Sequence, residues 1–266
     1  MEKYDVKFKK KFGQNFLKDK NIVKKIVRTA GIESNSLVIE VGPGGAIMTR
    51  ELAAVANNVL AYEIDYDLKD ELSKRLGDCN NVKVLFQDFL TADLAVDISK
   101  FSYDNLYFVS NVPYYITTPI ILKLIKSGLK FKKIVMMVQK EVGDRFATCP
   151  SSKDYGSITV LLNYFFKVKK EFLVSRKQFV PEPNVDSVII SFEENDDKLF
   201  VKDFTFFEKL VRDSFQYKRK NIRNNLKRYD LDKILKVLSK YNYDLNVRAE
   251  ALEVEIFVEM ANSLIQ

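Results

Sequence analysis

Short apolar runs that alternate with helical segments constrain the possible folds of this chain more than any other feature of its sequence. Five runs have the length and residue types of buried strands, at 37–41, 59–62, 82–86, 106–110 and 134–138. Helical spacing of apolar residues marks four other segments, at 21–30, 47–55, 67–76 and 119–126. This alternation predicts an α/β fold with a parallel, doubly wound, Rossmann-like sheet.

The pattern changes after an acidic polar stretch at 193–197. Before that stretch, two further β-rich runs are predicted at 164–168 and 187–192. After it, only helical spacing remains, at 204–217, 231–239 and 249–264. We therefore predict two domains: 1–195, which contains the sheet, and 196–266, a small all-helical domain.

The composition excludes several kinds of chemistry. The 266 residues include no histidine, so triads, general bases and metal sites that need imidazole are excluded. The two cysteines, Cys79 and Cys149, are isolated and lack the spacing of a metal site, so no metal is expected. No apolar window is long enough to span a bilayer, and the first five residues lack the apolar region of a signal peptide. We therefore expect a cytoplasmic protein.

The basic residues favour an anionic partner. The net charge is +7 and the pI is near 9.1. The cations cluster near both ends of the chain, with aromatic residues among them, which is typical of nucleic-acid binding. The residues that we expect to contact RNA in these clusters are Lys9, Lys10, Lys11, Lys218, Arg219, Lys220 and Arg223.

A tetrapeptide at the end of the fourth predicted strand, Asn111-Val112-Pro113-Tyr114, suits the handling of a flat base. Its place after a strand puts it at the ligand crevice of a parallel sheet. The Asn111 side chain and the Val112 carbonyl can accept both N–H groups of an exocyclic amine and make its nitrogen nucleophilic. Tyr114 can stack on the base. The alternative is an ordinary turn, because Asn, Pro and Tyr also suit a strand exit.

The ends of the first three predicted strands carry residues suited to a nucleoside cofactor. Gly42 and Gly44 allow the backbone to approach a ligand closely. Glu63, 21 residues beyond Gly42, can accept hydrogen bonds from both ribose hydroxyls. Asp88 can accept from an adenine amine, and Glu40 can attract an ammonium group.

The glycine loop departs from the dinucleotide fingerprint in two ways. Position 47 is Ile rather than the third glycine, and Pro43 removes a backbone N–H from the loop. A cofactor that has adenosine but no pyrophosphate therefore fits better. We predict S-adenosylmethionine.

These motifs, with several others, resemble one known family over nearly the whole chain. The matching residues are Arg145 and the segments 11–17, 40–44, 63–65, 88–89, 111–119, 138–142, 179–187 and 218–226. Together they resemble the small-subunit ribosomal RNA adenine N6,N6-dimethyltransferases, the bacterial kasugamycin-sensitivity type. The family usually has Leu at the position of Val112. Since the role there belongs to the backbone carbonyl, the difference changes the prediction little.

The resemblance implies a function and a division of labour between the domains. The family dimethylates two adjacent adenines in a loop near the 3′ end of small-subunit RNA, which contributes to subunit maturation. Residues 1–195 would form the S-adenosylmethionine-dependent catalytic domain, and 196–266 would contact RNA or the ribosome. The partner would be the small ribosomal subunit, and the protein would act as a monomer without a membrane or a metal.

The resemblance also implies residue roles around the cofactor. Asn15 and Leu17 would close over it, and Gly42 would back it. Ile64 and Phe89 would flank its adenine. Asn111 would lie between the cofactor and the target amine. Phe179 would stack on the target base opposite Tyr114, or pack beneath the neighbouring prolines instead.

Three other functions stay open at this point. The first is the related large-subunit rRNA methyltransferase of the macrolide-resistance type, which shares the sheet and the Asn-X-Pro-Tyr motif. The second is a non-catalytic ribosome assembly factor with the same fold. The third is a nicotinamide dehydrogenase, against which the missing third glycine and the absence of histidine both argue.

Overall fold

A computed structural model of the chain describes residues 16–265. Its contacts divide the chain into two compact units, each built from two separate segments. The first unit comprises the described residues through Gly143 together with 169–194, and the second comprises 144–168 together with the residues from Asn195 onward. The last crossing lies within one residue of the boundary predicted at 195. The segment 144–168, however, belongs to the second unit rather than the N-terminal domain, and no change of composition marks its ends.

The first unit is built on a seven-stranded sheet. The seven strands are β2 (Ser36–Val41), β3 (Asn58–Glu63), β4 (Val82–Phe86), β5 (Asn105–Asn111), β6 (Lys133–Gln139), β7 (Phe166–Val174) and β9 (Ser187–Glu194). Two short strands, β1 (Phe16–Leu17) and β8 (Phe179–Val180), form a separate two-stranded sheet. The order in the large sheet is β4-β3-β2-β5-β6-β9-β7. The strands β2 to β6 are parallel, as predicted.

The last strands depart from the purely parallel sheet that the sequence predicts. The strand β9 runs antiparallel to β6, with Gln139 opposite Ser187. The apolar run of β9 has the composition of any buried strand, and such a run carries no information about strand direction. The sheet is therefore mixed, within the α/β class that was predicted.

Helices cover this sheet. They are α1 (Lys20–Ala30), α2 (Ile47–Ala53), α3 (Lys69–Leu76), α4 (Leu94–Ile98), α5 (Thr117–Lys126) and α6 (Lys140–Phe146), the last of which crosses into the second unit. The helix α1 begins where the Asp19 side chain accepts the Asn21 N–H, and it ends at Gly31 with φ of 60°. One of its faces, with Val23 and Ile26, is buried in the core against the sheet. Its opposite face is exposed.

The second unit contains the remaining described helices. They are α7 (Ser157–Phe165), α8 (Phe204–Ser214), α9 (Ile222–Asn225), α10 (Leu231–Lys240) and α11 (Val254–Leu264). The prediction of a β-rich run over 164–168 is wrong at its start, because Tyr164 and Phe165 close α7 and the strand begins at Phe166. Tyr164 is buried with its ring 5.1 Å from that of Phe207, so packing in this unit overrides the β propensity of the aromatic run. Within residues 16–265 no helix has both the length and the apolar character needed to cross a membrane.

Candidate active site

The sheet reverses its winding between β2 and β5. From β2 the chain builds outward through β3 and β4 on one side, and through β5 and β6 on the other. The last paired residues of β2 and β5 are Ile39 and Phe108. Beyond them the Ser110 hydroxyl bridges the strands, donating to the Val41 carbonyl at 2.7 Å and accepting from the Val41 N–H at 3.3 Å. The strands therefore diverge here, where open α/β sheets bind ligands.

A cavity of about 380 Å³ lies at this edge, within the range of small-ligand pockets. Four strand ends and part of α1 line it. It brings together twelve residues that the sequence predicts for the site, namely Leu17, Glu40, Gly42, Gly44, Glu63, Ile64, Asp88, Phe89, Asn111, Val112, Pro113 and Tyr114. Asn15, Lys9, Lys10 and Lys11 lie outside the described residues.

The loop after β2 needs glycine where it turns towards the cavity. Gly42 and Gly44 have φ of 74° and 50°, a region that other residues rarely adopt. The Gly42 N–H donates to the Tyr62 carbonyl at 2.8 Å, which ties the loop to β3. A Cβ atom added at Gly42 would lie 4.0 Å from Cδ of Pro113, so the loop faces the Asn111–Tyr114 segment across the cavity.

Glu63, at the end of β3, is held by the backbone. Its Oε1 accepts from the Asp65 N–H at 2.9 Å and its Oε2 accepts from the Gly44 N–H at 3.3 Å. Burial raises the pKa of Glu63, and these N–H groups partly counteract that rise. Each carboxylate oxygen has a second lone pair, so Glu63 can still accept two hydroxyl groups from the cavity side.

Glu40, near the end of β2, is buried without a full set of partners. Its side-chain Oε2 accepts no hydrogen bond from the described residues. Burial raises the pKa of Glu40 to about 8; the neighbouring Thr49 hydroxyl lowers it, and the charge of Glu63 raises it. The Thr49 hydroxyl is itself buried and has no hydrogen-bond partner among the described residues. A buried, unsatisfied carboxylate beside a cavity fits a ligand that brings a cation or a donor.

Asp88 and its neighbours follow β4. One oxygen of Asp88 accepts the Leu90 N–H at 2.8 Å, which fixes the carboxylate at the cavity wall. Phe89 is buried and packs edge-on against Tyr62 with ring centroids 5.2 Å apart. Ile64 also lines the cavity and is 41% exposed. Ile64 and Phe89 therefore both contribute apolar surface to the cavity that Asp88 also lines.

The segment Asn111–Tyr114 forms the wall that faces the glycine loop. Asn111 is the last residue of β5. Among residues 16–265, no group donates a hydrogen bond to the carbonyl of the buried Val112. The Ile116 N–H donates to the Pro113 carbonyl at 3.1 Å and closes the turn. The Tyr114 hydroxyl is 2.7 Å from Oγ of Ser187, the first residue of β9, and burial raises the pKa of Tyr114.

Comparisons with known proteins agree with this geometry. A sequence model of the family described as "Ribosomal RNA adenine dimethylase" matches residues 5–266. The chain belongs to the ribosomal RNA adenine dimethylase family. It is therefore an rRNA adenine dimethyltransferase, and S-adenosylmethionine is its methyl donor.

Individual relatives resemble this dimethylase over nearly their whole length. It is 43% identical to ribosomal RNA small subunit methyltransferase A of Streptococcus gordonii, covering 99% of this chain and 94% of that protein, and it matches the Streptococcus pneumoniae protein equally well. A dimethyladenosine transferase from Plasmodium falciparum has a similar structure, with a TM-score of 0.78, 28% identity and coverage of 92% and 95%. The 23S rRNA methyltransferase ErmE gives a TM-score of 0.72 at 27% identity, with coverage of 94% and 100%.

One predicted RNA contact of the dimethylase is wrong. Phe179 is fully buried in the core with Leu17, its partner across the β1–β8 pair. It cannot stack on a target base from this position. The Pro residues that follow Phe179 are typical of a loop. The strands β8 and β1 have two residues each, too few for their pairing to be predicted from the sequence. The alternative, a surface aromatic packed beneath the neighbouring prolines, is also wrong in placing Phe179 at the surface.

The C-terminal basic residues of the dimethylase are placed where RNA could reach them. Lys218, Arg219, Lys220 and Arg223 are all exposed. The Lys218 ammonium donates to the Lys153 carbonyl at 2.7 Å, so it is partly engaged within the second unit. No ion pair within residues 16–265 involves Arg219 or Lys220. Their role in RNA binding stays a prediction.

The sequence did not reveal three residues that shape the site. Ser110 and Ser187 act through hydroxyl contacts with residues 69 and 73 positions away, which no local pattern encodes. Tyr115 lines the cavity and is 58% exposed, so it stands at the mouth beside Tyr114. Its position directly after the Asn111–Tyr114 segment was the only available signal.

Proposed function

We propose that this dimethylase converts two adjacent adenines, in a loop near the 3′ end of small-subunit rRNA, to N6,N6-dimethyladenine during subunit maturation. The proposal rests chiefly on one observation. Asn111 and Val112 line the same cavity as the glycine loop, at the switch point of the sheet, which supports their proposed role. The curated relatives at 43% identity, which are named for the small subunit, support this choice of substrate.

The residues of the cavity divide into two groups by what they can hold. Glu63 would bind the ribose hydroxyls of the cofactor, Asp88 its adenine amine, and Glu40 its ammonium group. When bound, S-adenosylmethionine supplies an electrophilic methyl group. The chain must therefore place a nitrogen in line with that group and exclude water, which needs orientation rather than a strong base.

The Asn111–Tyr114 segment would hold the target amine. Its two N–H groups would donate to the Asn111 side-chain oxygen and the Val112 carbonyl, which favours a tetrahedral nitrogen. The Tyr114 ring would stack on the base. A target in a loop is unstacked at low cost, so it can enter the cavity readily. The same cavity must then accept the monomethyl product for the second transfer.

The biological setting follows from this substrate. We place the protein in the cytoplasm as a monomer that acts on the small ribosomal subunit. Among residues 16–265, no three side chains of metal-ligating types lie together, and we propose that the reaction uses no metal. The catalytic role of the first unit and the RNA-contact role of the second belong to the same proposal.

Incubation of the protein with labelled S-adenosylmethionine and small subunits from a strain that lacks the modification tests this function. The RNA is then digested and its nucleosides and their positions are identified by mass spectrometry. We expect dimethyladenine at two adjacent loop positions. Label on large-subunit RNA alone would favour the macrolide-resistance type, whose fold ErmE shares. Cofactor binding without transfer to either RNA would favour an assembly factor.

The variant Asn111→Ala tests the proposed handling of the amine separately from cofactor binding. It removes a proposed amine acceptor at the end of β5 without touching Glu63 or Asp88. We expect transfer to fall below detection while cofactor binding, measured by calorimetry, remains within a few-fold of wild type. Full activity in Asn111→Ala would contradict the proposed handling of the amine.

A further inference from the structure

The outward face of α1 is a strongly basic surface that the cofactor chemistry does not use. Lys24, Lys25 and Arg28 are all exposed on this helix, and α1 contains no acidic residue. Lys24 and Arg28 are four positions apart and therefore share one face. Among the described residues, the side chain of neither makes an ion pair, a hydrogen bond or a ring contact.

The other exposed lysine of this face is fixed by packing rather than by an acid. The Lys25 ammonium lies 4.0 Å from the centre of the Phe172 ring on β7. The contact fixes the stem of Lys25 against the sheet edge while the ammonium stays exposed. Lys170 lies on the same face of β7 as Phe172, since alternate residues of a strand share a face. The basic surface thus extends from α1 onto the edge strand.

The helix that carries this surface also reaches the active site, through its buried face. Val23, one residue before Lys24, lines the cavity, as does Leu17 just before the helix. Lys24 and Arg28 lie four residues apart, which is ~6 Å along the axis of α1. That distance is close to the spacing of successive phosphates in an extended RNA strand. Backbone that passes from the cavity over the start of α1 would therefore meet both cations.

We propose that the outward face of α1, through Lys24, Lys25 and Arg28, binds the phosphate backbone that flanks the target adenine. The inference rests on the proposed small-subunit substrate and adds a backbone-binding surface within the catalytic unit. An unpaired cationic face is commonly only solvated. What distinguishes α1 is that the helix carrying these cations also lines the cavity with Val23.

The chain offers a matched comparison on another helix. Lys69 and Lys74 on α3 are also exposed and make no ion pair among the described residues. Unlike α1, α3 carries the acids Asp70 and Glu71 among its cations. The double variants Lys24→Gln/Arg28→Gln and Lys69→Gln/Lys74→Gln therefore remove the same charge from the same unit. Glutamine keeps helix propensity close to that of Lys and Arg.

Affinity for unmodified small-subunit RNA is measured by filter binding over a series of KCl concentrations. For Lys24→Gln/Arg28→Gln, we expect the slope of log K against log[salt] to fall by about 1.5 and affinity to fall about 10- to 30-fold near ~0.1 M salt. The α3 variant should keep both the slope and the affinity of wild type. The charge-preserving variant Lys24→Arg should also behave as wild type. An α1 variant whose slope equals that of the α3 variant would overturn the proposal.

Two controls separate the possible failures. Cofactor affinity and thermal midpoint should match wild type in every variant, which shows that α1 still folds and still lines the cavity. If wild type methylates small-subunit RNA but the α1 variant loses no affinity, only the α1 surface is wrong. If wild type neither binds nor methylates that RNA, the proposed substrate itself is wrong.

Discussion

Two serine hydroxyls hold the Asn111–Tyr114 segment on either side. Ser110 ties the start of the segment to Val41, which lies between Glu40 and Gly42. Ser187 anchors the Tyr114 hydroxyl at 2.7 Å from β9. Both serines are fully buried, so water cannot replace either bond easily. The position of the Asn111–Tyr114 segment relative to the glycine loop therefore depends on two buried serines outside that segment.

The Ser187 contact gives a prediction for a positioning residue. In Ser187→Ala, the Tyr114 hydroxyl loses its partner and the ring is held less firmly. We expect kcat to fall about 5- to 10-fold, equivalent to a lost hydrogen bond of about 1–1.5 kcal/mol, with cofactor affinity unchanged. We expect the kcat of Tyr114→Phe to fall by a similar factor.

The double variant decides whether Ser187 acts through Tyr114. If it does, Ser187→Ala adds nothing further to kcat in the Tyr114→Phe background. Multiplicative losses in the double variant would show that the two residues act independently. A shift of products towards monomethyladenine in the single variants would agree with a loosened base.

Glu40 predicts a pH dependence of stability in the cofactor-free protein. An exposed glutamate has a pKa of 4.5, whereas burial raises the pKa of Glu40 in the folded protein to about 8. Between these values the folded state holds a proton that the unfolded state has lost. The contribution of Glu40 to the free energy of unfolding is therefore fully present below pH 4.5 and is lost as pH rises through 8.

Glu40→Gln removes this dependence. Urea unfolding of both proteins at several pH values between the two pKa values measures the effect. We expect the free energy of unfolding of Glu40→Gln to gain on wild type steadily as pH rises. Glu63, whose pKa is also raised by burial, is coupled to Glu40 through its charge, so the difference between the two proteins reports Glu40 together with that coupling. Parallel pH profiles would show that Glu40 is not protonated in the folded state.

At the scale of elements, the central strands could be predicted closely and the later ones could not. The strand predicted at 82–86 matches β4, and the predicted ends of β2, β3, β5 and β6 are within one residue. These are apolar runs with polar flanks, and the carboxyl ends of parallel strands meet at one edge, which is why the predicted residues at the ends of β2 to β5 line one cavity. The pair β1–β8 has only two residues per strand, too few for a periodic pattern. The helix α7 was missed because its aromatic end favours strand locally, and only its packing partners stabilise the helix.

The contact between α6 and β9 is tight at Gly143. A Cβ atom built there would lie 2.2 Å from Cγ1 of Val188. It would also lie 3.4 Å from a methyl carbon of Ile190 and 3.4 Å from one of Val138. Val188 is β-branched and lies in a strand, so it cannot swing aside. We expect Gly143→Ala to lower the free energy of unfolding by about 1–2 kcal/mol, because overpacking outweighs the gain in helix propensity.

Urea denaturation of Gly143→Ala, Val188→Ala and the double variant measures this contact. Because Val188→Ala removes the colliding methyl group, the double variant should be more stable than the sum of the single effects requires. Strict additivity would mean that α6 moves away from β9 without cost.

At the scale of the whole molecule, the basic charge should act at specific places. Lys220 is exposed and unpaired among the described residues of the second unit. We expect Lys220→Glu to weaken binding to small-subunit RNA roughly tenfold at low salt and to leave cofactor affinity unchanged. Lys236→Glu, an equal change on the exposed side of α10, should have little effect. Equal losses in both variants would indicate a general effect of net charge on RNA binding.

The insertion of 144–168 between two parts of the first unit sets an order for events during synthesis. The helix α7 buries Val160 and Leu162, and the helices that pack on it are α8 and α11. The last of these ends at Leu264, about a hundred residues later. At ribosomal rates of about 5–20 residues per second, the apolar face of α7 waits roughly 5–20 s for its partners. The nascent chain therefore leaves part of the apolar face of α7 uncovered until α11 has been synthesised.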